Sequence, residues 1–170
     1  MNQYLINTRY EEAKIEEYMI TKDMLELSVK FRFQLHDLTH RMKSKRSFIR
    51  KVKSLMVLKG FTQKEAILNI KDLIRYTIIL DQYDRDELDL LLIVLRFSLN
   101  DKGYHVLEEK DYFLYPKHSG YNAYHLYFIS PFGFVFEIQI HTKDSLSYKD
   151  RTHNTYKKSK KLPIHRKRNT

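Results

Sequence analysis

At 170 residues the chain has the length of one domain, and it contains no cysteine, which excludes a disulfide framework, thiolate metal sites and a cysteine nucleophile. Lys and Arg number 31 against 21 Asp and Glu, a net charge of +10, so a polyanionic partner enters consideration; with 42% apolar residues, bulk disorder is excluded. The longest apolar run, Leu90 to Leu95, is far short of the ~20 residues of a membrane span, and no basic lead precedes an apolar block at the N-terminus. These features predict a soluble, cytoplasmic protein with no membrane partner.

The first third reads as helical. No Gly or Pro falls between Thr8 and Leu38, and Ile15, Met19, Leu25 and Val29 recur at helical spacing among charges. A second helix runs from about Ser47 to Leu58 and stops at Gly60, a C-cap candidate. Thr62-Gln63-Lys64-Glu65 then fits a capping box and opens a short helix to about Asn69. At Asp72 the character changes: Leu73 to Leu80 is β-branched and aromatic, a buried strand. Asp84 to Asn100 is a helix with Leu88, Leu91, Leu92, Leu95 and Leu99 on one face, and Gly103 lies past its end. Strands follow over Tyr104 to Glu109, Ala123 to Ser130 and Phe134 to Ile140, the last two joined by the turn Pro131-Phe132-Gly133. A final helix begins near Thr142 and enters the Lys-rich tail. This order predicts an α+β fold: a mixed β-sheet flanked by helices, with a helical N-terminal third and a C-terminal helix. One domain spans residues 1–160, and 161–170 form a basic tail.

Three basic groupings stand out. Arg41, Lys43, Lys45, Arg46, Arg50, Lys51 and Lys53 lie together with no acid among them; the loop Tyr115 to Tyr121 holds Lys117 and two tyrosines; Lys157 to Arg168 is almost purely basic. Any such run can be a solvated face. The acids Asp81, Asp84, Asp86, Glu87 and Asp89 fit a helix N-terminus. Two other acids are out of place. Asp72 opens an apolar strand, and Glu137 lies inside Phe134 to Ile140, where alternation puts Val135, Glu137 and Gln139 on one face. That face either meets solvent or carries carboxylates for Mg²⁺ or for a proton, with cations nearby for phosphates.

The ordered set Arg41-x-Lys43-x-x-x-Ser47, Asp72, Asp111-Tyr112-x-x-x-Pro116-Lys117-x-x-Gly120-Tyr121-x-x-x-His125 and Glu137-x-Gln139-x-His141-Thr142 resembles the RelA/SpoT-like synthetase superfamily. The resemblance spans about Arg41 to Lys158. It implies a nucleotidyltransferase-like fold and transfer of the β,γ-pyrophosphate of ATP to a ribose 3′-hydroxyl. It leaves no room for a hydrolase half, so a small synthetase is expected. By position, Asp72 and Glu137 are the implied catalytic residues and Mg²⁺ ligands, with Glu137 assisting the metal or acting as base. Arg41, Lys43, Ser47, Lys51 and Arg75 are the implied ATP contacts. Lys117, Tyr121, His125 and Gln139 are the implied acceptor contacts, Tyr121 by stacking.

One departure concerns the donor strand. The family pattern Asp-x-x-Gly-x-Arg is here Asp72-Leu73-Ile74-Arg75-Tyr76-Thr77, so Thr77 stands at the adenine-stacking Arg position and Arg75 two residues before it on the same face. The ending Glu137 to Thr142, followed by Ser145, Lys149, His153 and Tyr156, resembles the toxic small alarmone synthetase branch, which implies the 3′ end of tRNA as acceptor and an antitoxin protein as a candidate partner. Lys45, Arg46, Arg50, Lys53, Lys157, Lys158, Lys160 and Lys161 would then be RNA contacts. Gly120 to His125 is nearer the pattern that makes (p)ppGpp from GDP or GTP, the alternative reading. A catalytically inactive RNA-binding module is the alternative of another class, and the presence of both Asp72 and Glu137 argues against it.

Overall fold

The computed structural model describes residues 1–149 and 151. Helix α1 spans Gln3–Phe31 and is capped at its start by the Asn2 side chain, which accepts from the Tyr4 N–H at 2.9 Å. Strand β1 (Gln34–His36) and a short turn of 3₁₀ helix (Leu38–His40) lead into α2 (Lys45–Lys59) and α3 (Gln63–Leu68). Strand β2 (Arg75–Leu80), α4 (Arg85–Asp101), β3 (His105–Asp111), β4 (Tyr124–Ile129) and β5 (Val135–Thr142) follow, and residues 143–149 are helical. The five strands form one mixed sheet in the order β1-β2-β5-β4-β3, in which β2 and β5 are parallel and the other pairs antiparallel.

The sheet has two unlike faces. Tyr76 and Ile78 of β2, Leu126 and Phe128 of β4, and Phe136, Ile138 and Ile140 of β5 are all at most 1% exposed, and they share one core with Leu88, Leu92, Leu95 and Leu99 of α4 and Ile20, Met24 and Leu27 of α1. The α+β reading is therefore confirmed, as are the α4 leucine face, the Gly60 C-cap at φ 67° and the reciprocal Thr62–Glu65 capping box.

Three expectations are corrected. The first helix stops at Phe31, because Arg32 takes a left-handed conformation (φ 58°) and the chain then enters the edge strand β1. Phe33 and Leu35 pack against the core at a period of two, a pattern too short to read without its partner β2. On α1 the stripe Ile15, Met19, Leu25 and Val29 is exposed, and the core takes Ile6, Ala13, Ile20, Met24 and Leu27 instead. The third concerns the strand that follows Asp72, which begins at Arg75 and not Leu73. Asp72 lies just before it, while Leu73 and Ile74 are buried in an irregular lead-in where Ile74 bridges Met42.

Candidate active site

The second face of the sheet is polar. Strand alternation turns Glu137, Gln139 and His141 of β5 away from the core, and the register sets them beside like-facing neighbours. Arg75 and Thr77 of β2 lie opposite Glu137 and Gln139, while Tyr127 and His125 of β4 lie opposite the same two residues from the other side. Glu137 is 3% exposed, and its Oε1 lies 2.8 Å from both the Tyr127 hydroxyl and His125 Nδ1. The far nitrogen of that ring, Nε2, is 2.8 Å from the Tyr121 hydroxyl, which also lies 3.3 Å from His141 Nε2. Burial and the Glu137 charge push the Tyr121 hydroxyl pKa up, so Tyr121 keeps its proton between the two rings.

The electrostatics of this chain are set by what surrounds it. Burial alone would raise the Glu137 carboxyl, yet the hydrogen bond and charge of His125, with bonds from Gln139 and Tyr127, hold it below the ordinary carboxylate value. His141 is pushed down to about 2, by burial first and then by the charges of Lys149, His125 and Arg75. It is a neutral ring at neutral pH. Its Nδ1 meets the Ser145 hydroxyl at 3.1 Å, and Ser145 and Thr142 cap the following helical turn reciprocally at 3.0 and 3.1 Å.

On the side of the β2 lead-in, Asp72 sits between Lys51 at 2.6 Å and Lys43 at 3.2 Å. Two backbone bonds, Lys43 N–H to Leu73 O at 2.8 Å and Arg75 N–H to Arg41 O at 2.7 Å, pin the segment before α2 to the segment before β2. Residues far apart in sequence thereby converge. Burial would raise the Asp72 carboxyl, but the charges of Lys43 and Lys51 hold it low; burial lowers Lys43 despite Asp72. The first turn of α2 carries Lys45 and Arg46 and no acid, so cations reinforce the positive end of the helix dipole. Its N-cap is Ser44, whose Oγ accepts from the Ser47 N–H at 3.3 Å and donates to the Ser47 hydroxyl at 3.1 Å. Arg41 is tied to Glu17 of α1 and to Leu38 O at 2.6 Å.

Arg75 and Thr77 share one face, as the spacing requires, and line a cavity of about 200 Å³ with His36, Asp37, His40, Leu146 and Lys149. Lys149 Nζ reaches Gln139 Oε1 at 2.8 Å. Across the site, Lys117 lies over the rings of Tyr112 and Tyr121, 4.2 and 4.8 Å from their centroids. Gly120, at φ 76°, closes the tight turn by donating to Lys117 O at 2.8 Å. Asp111 has a structural task, accepting from the Phe113 and Leu114 N–H groups and from Arg85.

Thus Asp72, Lys43 and Lys51 form one cluster and Glu137, His125, Tyr121 and Gln139 a second; Arg75 lines the cavity with His36 and Lys149, the Arg41 side chain is turned to Glu17, and Ser47 lies in the first turn of α2. Arg46, Arg50 and Lys53 are exposed on α2 outside both clusters, and Lys45 is half-buried with its ammonium 5.8 Å from the Tyr10 ring. Lys157, Lys158, Lys160 and Lys161, with His153 and Tyr156, lie outside the described residues. Tyr127, His141, Lys149 and Tyr112 enter the site beyond the candidates chosen from sequence. Period two along β4 points to Tyr127, while Tyr112, His141 and Lys149 stand in the quoted sequence patterns without a role assigned to them.

The Tyr127 hydroxyl feels the charges of both Glu137 and Asp72, so the two carboxylates share one corner. Among the described residues no group of three or more His, Asp or Glu is arranged to hold a metal ion. The donor chemistry fits a Mg²⁺ that arrives on a triphosphate and takes Asp72 as its protein carboxylate. Glu137, the other implied ligand, has its Oε1 engaged by the Tyr127 hydroxyl and His125 Nδ1, as both Asp72 oxygens are engaged by Lys51 and Lys43.

No helix among the described residues is long and apolar enough to cross a membrane. No curated protein matches the chain. Among solved structures, it is similar to small alarmone synthetase 1 of Bacillus subtilis bound to its product pppGpp, at 23% identity and TM-score 0.62, covering 91% of this chain and 80% of that one. Small alarmone synthetase 2 of the same organism gives 19% identity and TM-score 0.67, over 93% and 84%. The type VI effector Tas1, in complex with its immunity protein, gives 18% identity and TM-score 0.56, over 95% and 87%. The family model described as "Region found in RelA / SpoT proteins" matches residues 40–161, well over half of the chain. With the ordered motifs gathered around the polar face of the sheet, the chain belongs to the RelA/SpoT family and carries an ATP-dependent pyrophosphokinase domain.

Proposed function

We propose that this domain transfers the β,γ-pyrophosphate of ATP to the 3′-hydroxyl at the end of tRNA, with Asp72 on the donor side and the His125–Glu137 pair on the acceptor side. The observation that carries the division is the hydrogen-bonded chain from Glu137 through His125 to Tyr121, which among the described residues shares no hydrogen bond or ion pair with the neighbouring Lys43–Asp72–Lys51 cluster. Lys43, Lys51 and the N-terminus of α2 bind the triphosphate, Arg41 and Ser47 border it, and Arg75 meets the adenine. Mg²⁺, when bound with ATP at Asp72, supplies charge neutralisation on the phosphates.

Pyrophosphoryl transfer needs alignment and charge stabilisation more than covalent help. The acceptor oxygen bonds to the β-phosphorus as the bridge to the α-phosphate breaks, and AMP leaves. The acceptor proton passes by way of the Tyr121 hydroxyl, which takes it as its own proton moves to His125 Nε2 at 2.8 Å, to the His125–Glu137 pair, where the buried carboxylate stabilises the imidazolium that forms. Tyr121, held at its hydroxyl by His125 and His141, presents its ring to the acceptor base. Lys117, lying over that ring, moves aside onto an acceptor phosphate.

The exposed cations Arg46, Arg50 and Lys53 support a polynucleotide acceptor, since a single nucleotide does not reach past the pocket. The likeness to Tas1, an effector bound by an immunity protein, supports a toxin role with a neutralising partner. The pppGpp complex of small alarmone synthetase 1 favours GDP or GTP as the second reading. Purified protein given ATP labelled at the γ-phosphate, with tRNA, GDP and GTP in parallel, separates them. Label on tRNA is the expected result; label on GDP or GTP alone, at low salt, overturns the tRNA assignment. No transfer to any of the three overturns the catalytic reading.

A further inference from the structure

Strand β1 ends beside the cavity that Arg75 lines. The register sets His36 opposite Thr77, and at Asp37 the backbone turns left-handed, φ 51° and ψ 52°, with the His40 N–H donating to the Asp37 carbonyl at 3.0 Å. Asp is among the few residues besides Gly that accept this conformation. The turn places Asp37 on the wall of the 200 Å³ cavity, where it is the one acid among the described residues and Arg75 and Lys149 are the cations. The carboxylate does not cap the 3₁₀ turn that follows. Its Oδ1 accepts from the Thr39 hydroxyl and from His40 Nδ1, each at 2.8 Å, and among the described residues Oδ2 has no hydrogen-bond partner. Those bonds, that of His40 first, hold the carboxyl below its ordinary pKa, so at neutral pH it is charged and only accepts.

We propose that Asp37 reads the 6-amino group of the donor base and so sets the choice of adenine over other purines. This rests on the reading of the cavity as the adenine site. The cavity is small enough to suit a flat ring and not a whole nucleotide. Adenine presents one amino group with a bare acceptor nitrogen on either side of it. The amino group matches Oδ2 of Asp37, and the nitrogens match the donors of Arg75 and the Thr77 hydroxyl. A guanine edge would offer a carboxylate two donors, N1–H and the 2-amino group, and needs both oxygens to receive them; Thr39 and His40 already occupy Oδ1. Its 6-oxo group, turned to Oδ2, would set two acceptors together with no proton between them. Thr77 gives the contact its weight, because it stands where the family pattern has the adenine-stacking Arg, and edge hydrogen bonds must do more of the holding.

Competition against a fluorescent ATP analogue tests this on the full chain without reference to the acceptor. The wild type should bind ATP about tenfold or more tighter than purine riboside triphosphate, which lacks only the 6-amino group. Asp37→Gly keeps the left-handed backbone and removes the carboxylate. It should bring ATP down to the affinity of purine riboside triphosphate and leave that nucleotide unchanged, so that the two losses do not add. Asp37→Asn, whose amide turns either its oxygen or its N–H₂ to the base, should keep most of the ATP affinity and bind inosine triphosphate about tenfold tighter than the wild type does. Equal wild-type affinity for ATP and purine riboside triphosphate, or an Asp37→Gly that weakens both alike, would overturn the proposal. If Asp37→Gly fails to fold by circular dichroism, the inosine triphosphate gain of Asp37→Asn decides. Arg75→Ala separates the underlying reading: ATP affinity untouched by it would show that the cavity is not the adenine site, whereas a weakened ATP with additive amino and carboxylate losses would remove the Asp37 contact alone.

Discussion

Replacing Glu137 by Gln removes one buried negative charge at nearly constant volume. The Gln side-chain oxygen can still accept from the Tyr127 hydroxyl, which lies 2.8 Å from Oε1 in the native protein, so the packing of the polar face is kept. The counter-charge to His125 is lost. With Nδ1 2.8 Å from the carboxylate, the two charge centres are about 4 Å apart, and at an effective dielectric of about 20 their attraction is about 4 kcal/mol. If the acceptor proton is received at His125, that stabilisation is available in the transition state and absent in the variant. The transfer step should slow by about 10³-fold, within the usual range for acid–base assistance. ATP affinity, set at the Lys43–Asp72–Lys51 cluster, should be unchanged. The assay is single-turnover transfer from labelled ATP, with ATP titration and thermal melting on the same samples. A Glu137→Gln variant that folds, binds ATP and transfers within about tenfold of the wild-type rate would refute the acceptor-side role of this carboxylate.

Asp72→Asn should abolish transfer and, because the desolvated Lys43 loses its counter-charge, lower the melting temperature while the chain still folds; product formation under saturating ATP and a thermal melt check it. Tyr121→Phe, which keeps the ring and loses the bond to His125 Nε2, should retain more acceptor affinity than Tyr121→Ala, and the ratio of their KM values for acceptor measures the stacking share, about 1–3 kcal/mol. Replacing Arg46, Arg50 and Lys53 together by Ser should reduce the salt slope of tRNA binding by about 0.7–0.9 for each phosphate no longer neutralised, and leave reaction with free nucleotides untouched. His141 cannot take a proton in the folded state until about pH 2, whereas its ordinary value is 6.5. The unfolded chain therefore binds an extra proton between these limits, and stability present above pH 6.5 falls as the pH drops, by up to about 1.4 kcal/mol per unit. His141→Gln should flatten that slope in urea unfolding between about pH 6 and pH 4.

Much of the fold was legible because its signals are local. The five α4 leucines fall on one side of a 3.6-residue helix, and the Thr62–Glu65 capping box and the Gly60 C-cap each need only a few residues to be recognised. What failed needed a partner from elsewhere in the chain. Gln34–His36 is a strand because β2 offers an open edge, and its own three residues carry too little pattern to announce it. On α1 two apolar stripes of similar strength compete. Hydropathy alone does not say which of them faces the sheet, and the packing of Ile20, Met24 and Leu27 against the core resolves the choice.

The site divides along the same line. Glu137 and Gln139 stand out in a strand of apolar residues, and alternation alone puts them on one face. Their neighbours come from register. His125 and Tyr127 reach Glu137 because β4 pairs antiparallel with β5. Asp72 reaches the same corner because β2 runs parallel to β5, and the Glu137 N–H donates to Ile74 O at 3.0 Å in the lead-in that Asp72 begins. A one-residue slip of β4 would turn His125 and Tyr127 into the core and bring Leu126 and Phe128 onto the polar face. The apolar packing of Leu126 and Phe128 against Ile138 and Phe136 therefore fixes where His125 meets Glu137. A core substitution such as Phe128→Ala, which changes no group in the site, should by this reasoning loosen the register that aligns the site and so lower transfer along with stability, whereas Glu137→Gln should lower transfer alone.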